Sequence, residues 1–383
     1  MSFNNIKIKF FLALALSAAV FSQSGCGFFD DVVNNISSVV GLSDTATVIA
    51  KTAWIRSSYS VVASDLLEVK RGETLEVLDQ VEFEKVIWYR IRAKDEDKTE
   101  GWIEAQNVIT GDLMEKSKKL AESSKNLQQQ ATGQLRNASN LRLSPDLMPE
   151  NALFRLVSGS TFEIVAWKFV PKAQNAADVD DATKGEQKTV NRSKNEEIEA
   201  AKEKDEPEKL DEKYDIWYQV RLDPSVSPAP AGWLFGRQVE LQLPGDIAFF
   251  QANNKKFVTW HRIDNEPAGA KEKATPGSWI VLTRTNMVKA IDGIEPDFDG
   301  ILVLGFDKYD QSHYTVYRTT NDIWGVLPLK VEGTGDNKTF SIQIRANGGG
   351  MQDKRFVVFK DRNRIKVTPP EDMANFETKP GKQ

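Results

Sequence analysis

The amino-acid sequence contains an internal repeat, and this repeat limits the possible folds more than any other feature. Three pairs of similar segments occur in the same order: RGETLEVLD (71–79) and SGSTFEIVA (158–166), IWYRIR (87–92) and IWYQVR (216–221), EGWIEAQNV (100–108) and AGWLFGRQV (231–239). Matching segments in one order indicate a small folding unit that is present twice. The chain of 383 residues must therefore accommodate two similar domains and a remainder.

Both copies have the pattern of short β-strands. In the first copy Tyr89 and Ile91 alternate with Trp88 and Arg90, as in a strand with one apolar face. The second copy alternates in the same way. We expect the tyrosine face to form the core and the tryptophan face to be exposed or to line a groove. Five or six such strands in about 65 residues predict a small barrel, because a flat sheet of that size buries too little.

The repeated residues resemble the bacterial SH3 (SH3b) family. The matches are an Asn-Leu-Arg-like opening, a glycine before an alternating strand, a Trp-Tyr strand and a closing Gly-Trp: Trp54-Ile55-Arg56 and Asn140-Leu141-Arg142, Gly72 and Gly159, Trp88-Tyr89 and Trp217-Tyr218, Gly101-Trp102 and Gly232-Trp233. The first copy keeps less of the opening than the second. The resemblance implies extracytoplasmic binding modules, which in several characterised members bind peptidoglycan peptides or other cell-wall material.

The repeat divides the chain into domains, and the predicted fold class is mainly β. Two SH3-like small barrels are followed by an all-β, sandwich-like C-terminal domain, whose β-branched and aromatic runs alternate with turn residues. The predicted segments are a first barrel at 45–110, a polar helical spacer at 111–133, a second barrel at 134–243 with a charged insertion at 172–213, the C-terminal domain at 244–372 and a tail at 373–383.

The N-terminus has the pattern of a secretory signal. Two lysines precede the apolar run 10–21, and small residues lead into Cys26, the one cysteine of the chain. We expect a signal peptide at 1–25 and a tether at 26–44. Ser24-Gly25-Cys26 resembles the end of a bacterial lipoprotein signal, which implies lipidation of Cys26. The alternative is a soluble secreted protein with an incidental thiol.

Composition excludes several kinds of site. After Cys26 the chain has no thiol, so disulfides, cysteine-based zinc sites and cysteine nucleophiles are excluded. The net charge of −5 gives no electrostatic case for nucleic-acid binding. Glu295, Asp297 and Asp299 alternate like calcium ligands, but Phe306 stands where a bidentate glutamate belongs, so an acidic turn is preferred.

The two histidines give no catalytic pattern. His313 is interpreted as a turn residue and His261 as a strand residue, and no Gly-x-Ser-x-Gly segment is present. We therefore expect no catalytic residue, no metal site and no cofactor.

The sequence as a whole predicts a membrane-anchored lipoprotein of the bacterial envelope, facing the periplasm or the surface. It would act as a non-catalytic binding protein, with peptidoglycan peptides or envelope proteins as partners. The candidate ligand-binding residues share the tryptophan face or the Gly-Trp motif: Trp88, Arg90, Trp102, Trp217, Arg221 and Trp233. The alternatives are a structural or protein-docking lipoprotein without a cell-wall ligand, and a cell-envelope hydrolase whose site lies in the C-terminal domain.

The lipidation hypothesis predicts the behaviour of one substitution. Cys26→Ala should abolish the incorporation of labelled fatty acid and release the protein from the membrane fraction, because the acylated atom is lost. Radiolabelling and fractionation measure both effects, and unchanged labelling would contradict the lipoprotein prediction.

Overall fold

Antiparallel β-strands make up most of the structure, a computed structural model. It describes residues 44–172, 210–251, 255–264, 275–320, 322–334, 337–346 and 348–376. The described residues form two compact units, which divide between Gly111 and Asp112. The predicted signal peptide, Cys26, nearly all of the tether, residues 173–209 of the insertion and the end of the tail lie outside the described residues.

The first unit contains the first barrel. Its strands are β1 (Thr45–Val48), β2 (Thr52–Arg56), β3 (Asp65–Lys70), β4 (Thr74–Phe83), β5 (Val86–Arg92), β6 (Glu100–Glu104) and β7 (Val108–Thr110). They form one sheet in the order β3-β2-β6-β5-β4-β1-β7. Val69 of β3 and Val108 of β7, at opposite edges, join the same apolar core. Since strands lie about 4.8 Å apart, the edges of a flat sheet could not meet in this way, so the sheet curves around its core.

The second unit begins with the second barrel. Its strands are β8 (Ala131–Leu135), β9 (Ser139–Arg142), β10 (Ala152–Leu156), β11 (Thr161–Pro171), β12 (Tyr214–Arg221), β13 (Ala231–Phe235) and β14 (Val239–Leu241). Their order, β10-β9-β13-β12-β11-β8-β14, is that of the first barrel strand for strand. The insertion joins two paired strand ends, because Pro171 lies opposite Tyr214. A long loop between adjacent ends adds little closure entropy, so the barrel tolerates it.

The glycine of each Gly-Trp motif allows two strands to approach closely. A Cβ atom at Gly101 would lie 2.5 Å from the carbonyl oxygen of Arg56 and 2.6 Å from Ile55. At Gly232 it would lie 2.5 Å from Leu141. Real Cβ atoms do not make such contacts. The two barrels thus place a glycine against the same core position for the same steric reason.

The remaining strands form a sandwich. One meander comprises β15 (Lys256–Arg262), β16 (Trp279–Arg284), β17 (Gly300–Asp307) and β18 (Ser312–Arg318); the other comprises β19 (Gly325–Thr334), β20 (Asn337–Arg345), β21 (Met351–Asp361) and β22 (Arg364–Thr368). Side chains of both four-stranded sheets share one core. Within it Phe340 and Phe356 stack with ring centroids 4.4 Å apart. The predicted fold class, mainly β with several domains, is confirmed.

The predicted helical spacer is shorter and better packed than the sequence suggested. Helix α1 spans Gly111–Ser124, and β8 already begins at Ala131; a short helix α2 covers Leu210–Lys213. In α1 the Ser117 side chain is fully buried, and its hydroxyl donates to the carbonyl of Ala231 at 2.6 Å. A small serine lets the helix approach β13 closely, and the charged residues around it concealed this contact in the sequence.

Two glutamines tie the segment after α1 to the sandwich. The Gln130 side chain accepts from the Leu329 amide at 2.8 Å and donates to the Leu329 carbonyl at 3.1 Å. Gln128 makes the equivalent pair with Val331, with both distances 2.7 Å. Each side-chain amide therefore forms with β19 the pair of hydrogen bonds that the main chain of a neighbouring strand would otherwise form.

We expect Gln130→Met to destabilise the second unit by about 2–4 kcal/mol, because it leaves two buried main-chain groups of Leu329 without a partner. Urea unfolding followed by circular dichroism measures the loss. The control is Gln129→Met, since Gln129 is exposed and bonds only to Thr132 among the described contacts. Equal stability of the two variants would contradict the bridging role of Gln130.

Candidate functional site

The first barrel has a pocket on its outer face, which we call the outer pocket. Its volume is about 310 Å³, and its walls are Thr52, Ala53, Trp54, Arg56, Asp65, Trp88, Glu104 and Asn107. Trp54 is 49% exposed, whereas Trp88 is only 6% exposed. One indole thus forms an open wall, and the other forms the covered side of the pocket.

Strand register explains why these side chains meet. Trp88 of β5 lies opposite Glu104 of β6, and Arg56 of β2 lies opposite Trp102. Two residues further along the antiparallel pair β2–β6, Trp54 comes opposite Glu104. Trp54 and Arg56 point to the same side of the sheet, because alternate residues of a strand share a face. The half-buried carboxylate of Glu104 therefore lies in a row between two tryptophans.

The arginine of the outer pocket is already engaged. Nε of Arg56 lies 3.4 Å from the Asp65 carboxylate, and Nη2 donates to the carbonyls of Val61 at 3.3 Å and Ala63 at 3.2 Å. Glu104 accepts from the Gln106 side chain, which is neutral. The Arg56 charge is thus balanced by Asp65, and the Glu104 charge is left without a cation among the lining residues.

The other predicted site residues of the first barrel lie outside the lining. Arg90 pairs with Glu100 at 3.0 Å. Trp102 is half-buried and meets the ring of Tyr59 edge-on, with centroids 5.0 Å apart. Of the three candidates in this barrel, the structure places only Trp88 in the outer pocket.

The second barrel does not expose its tryptophan, and the expectation of an exposed or groove-lining face is wrong for Trp217. This side chain is only 2% exposed. Trp88 is nearly as buried, but the residue opposite the tryptophan differs: where the first barrel has Glu104, the second has Phe235, whose ring lies 5.1 Å from that of Trp217. Arg221 pairs with Glu163 at 3.0 Å, and Trp233 lies opposite Arg142.

The second unit contains a cavity of its own, which we call the inner cavity. It has a volume of about 190 Å³ and lies between the second barrel and the sandwich: Trp167, Phe169, Leu210, Ile216, Tyr218, Leu241, Lys256, Phe257, Val258, Arg284, Asn286 and Asp297 line it. Most of these side chains are apolar. The buried charged groups are therefore the unusual part of the wall.

Asp297 is hydrogen-bonded to the barrel, and Arg284 contacts an aromatic ring of the barrel. The Trp167 indole donates to Asp297 at 2.9 Å, and the Leu327 amide donates to its other oxygen at 2.8 Å. Burial raises the pKa of Asp297 to about 6, against the opposing effect of these two donors and of Arg284. Arg284 bonds to buried Glu295 at 3.0 Å, with its guanidinium 4.7 Å from the Phe169 ring centroid.

The acidic alternation is neither a calcium loop nor a solvated turn. Glu295 bonds to Arg284, Asp297 to Trp167, and Asp299 to Thr285, so the three carboxylates serve separate partners. No group of three metal-ligating side chains occurs in the part of the chain that the structure describes. Sequence reasoning missed this network because Trp167 is 130 residues away from Asp297.

His261 lies in β15, as expected, whereas His313 lies in β18 opposite Phe306 and is not the turn residue that the sequence suggested. Nε2 of His313 lies 2.9 Å from the carbonyl of Gly277 and 3.3 Å from the Asp246 carboxylate. Burial lowers the pKa of His261, with a smaller contribution from Lys338.

Comparison with known proteins gives no assignment. No protein-family model matches the chain, and no curated protein matches it significantly. Within the described ranges, no helix has the length and apolar character needed to cross a membrane.

The raised pKa of Asp297 predicts a pH dependence of stability. The folded state binds this proton more tightly than the unfolded chain does, so the stabilisation is fully present below pH 3.8 and is lost as the pH rises through about 6. The difference amounts to about 3 kcal/mol. In Asp297→Asn the fall in unfolding free energy between pH 4.5 and 7.5 should shrink by about 2 kcal/mol, because the group no longer titrates.

Urea titrations at the two pH values measure this fall. Asp292→Asn is the control, since Asp292 is exposed. An unchanged pH dependence in Asp297→Asn would contradict the assignment.

Proposed function

We propose that the protein is a lipid-anchored lipoprotein of the bacterial envelope that binds cell-wall peptides without catalysis, using its SH3b-like barrels. The outer pocket is the observation that carries this proposal. It combines an exposed indole, a buried indole and hydrogen-bonding side chains in about 310 Å³, and ligand pockets typically join apolar walls to a few polar groups.

Two sequence features support the cellular setting. The signal-like N-terminus ends in Ser24-Gly25-Cys26, which resembles a lipidation site. The repeated Trp-Tyr and Gly-Trp segments resemble a family of extracytoplasmic binding modules. A lipid anchor would hold the barrels near the cell wall, where the proposed ligand is abundant.

Protein docking is the second candidate function, and a specific observation favours it. The loop between β2 and β3 exposes Val61 and Val62, and the loop between β9 and β10 of the second barrel exposes Leu147 and Met148. Adjacent exposed aliphatic residues in the same loop of both barrels fit a protein partner better than a polar saccharide.

Retention by purified peptidoglycan tests the proposal. The mature chain carrying Cys26→Ser, which removes the lipidated thiol, should sediment with peptidoglycan, and Trp54→Ala should weaken this retention about tenfold because exposed tryptophans in pockets are frequent binding hot spots. Tyr309→Ala is the control, since Tyr309 is an exposed aromatic residue of the sandwich. Absence of retention would reject the cell-wall ligand, and equal retention of Trp54→Ala would reject the outer pocket.

A further inference from the structure

We propose that the outer pocket recognises a primary amine on its ligand, and that the second barrel has lost this capacity. The inference rests on the proposed function, because it names the ligand group that the same pocket would bind. Three observations support it: the charge of the lining, the position of its carboxylate between two indoles, and the comparison with the second barrel.

The charges of the outer pocket favour a cation. The charged side chains of its lining are Arg56, Asp65 and Glu104. Since Arg56 is held by Asp65 and by two loop carbonyls, an incoming ammonium group would meet the uncompensated carboxylate of Glu104. An incoming carboxylate would be repelled by Glu104 and would find Arg56 engaged. Glu68 and Lys70 lie opposite Trp54 and Thr52 on the neighbouring strand, and their opposite charges offset each other.

The tryptophans add a second preference for a cation. The face of an indole carries negative partial charge and attracts ammonium groups that approach within about 6 Å of the ring centroid. Trp54 and Trp88 line the pocket together with Glu104. An amine placed beside the carboxylate is therefore also close to aromatic rings, and the methylene groups next to the nitrogen can pack against them.

The second barrel serves as an internal comparison. It has the same strand order, but three of the lining positions that differ carry the charges and the exposed indole: by register and alignment, Phe235 replaces Glu104, Ala152 replaces Asp65 and Asn140 replaces Trp54. Both carboxylates and the exposed indole are thus absent together. Phe235 instead packs against Trp217. The features that an amine site would require are therefore among those that the second barrel lacks.

A direct binding measurement tests the chemistry of the pocket. The full mature chain carrying Cys26→Ser is labelled with 5-fluorotryptophan, and Trp54→Phe identifies the Trp54 resonance. The probe is the blocked peptide acetyl-Ala-Lys-Ala-amide, compared with its Nε-acetyl-lysine form and with acetyl-Ala-Glu-Ala-amide. We expect only the free amine to shift the Trp54 resonance. No shift with the lysine peptide, or an equal shift with either comparison peptide, would overturn the inference.

Charge-removing variants give the second test. Glu104→Gln and Asp65→Asn should each weaken binding of the lysine peptide about tenfold, a change of about 1.4 kcal/mol in binding free energy. Glu82→Gln removes an exposed carboxylate of β4 that does not line the pocket, and it should bind normally. Two separate variants guard against loss of folding in one of them, which circular dichroism would reveal. Unchanged affinity in both folded variants would overturn the inference.

Peptidoglycan with chemically acetylated amines separates this inference from the proposed function. Loss of retention on acetylated material supports both. Equal retention on native and acetylated material rejects the amine while the cell-wall ligand stands. Binding of the lysine peptide without retention on native material rejects the cell-wall ligand while the amine specificity stands.

Discussion

The second unit depends on one constraint. Its buried polar groups form hydrogen bonds across the boundary between the second barrel and the sandwich. An unpaired polar group in a protein interior costs several kcal/mol, whereas a paired one costs little. The Asp297 carboxylate is satisfied by Trp167 of the barrel and Leu327 of the sandwich, and the Gln130 side chain bonds to the amide and the carbonyl of Leu329. Separation would leave these groups unpaired. The same groups fix the relative position of barrel and sandwich, because hydrogen bonds tolerate little change in distance.

The two copies of the repeated sheet share one framework and differ in what covers their outer faces. Gly101 and Gly232 pack against equivalent positions, and both strand orders are identical. The outer faces have different surroundings. In the second barrel Ser117 of α1 is buried against Ala231, and Phe235 covers Trp217. The covered outer face of the second barrel contributes to folding and is not available to a ligand.

The sequence predicted the duplication and the mainly β fold class, because alternation and repeated segments are visible in the chain itself. It predicted five or six strands in each barrel, whereas each barrel sheet has seven. It assigned Ile91 correctly to the core. Alternation does not show what covers an outward side chain, and for this reason the sequence predicts an exposed or groove-lining face for Trp217, which is buried. The exchange of Glu104 for Phe235 is visible in the sequence, but its meaning depends on the register that sets each residue opposite a tryptophan. The hydrogen bond between Gln130 and Leu329 joins residues that are 199 positions apart in the sequence, and no local pattern predicts it.

The negative charges of the Asp297 and Glu104 carboxylates are compensated in opposite ways. Asp297 is enclosed, so two N–H donors and a nearby arginine compensate its charge, and burial still raises its pKa to about 6. Glu104 is half-buried in an open pocket, where solvent supplies the missing compensation. A ligand that displaces this solvent must replace it with a positive group, since a neutral one would leave the carboxylate poorly solvated. The enclosed carboxylate therefore joins barrel and sandwich at a cost in desolvation, whereas the role we propose for the open one is to select a ligand.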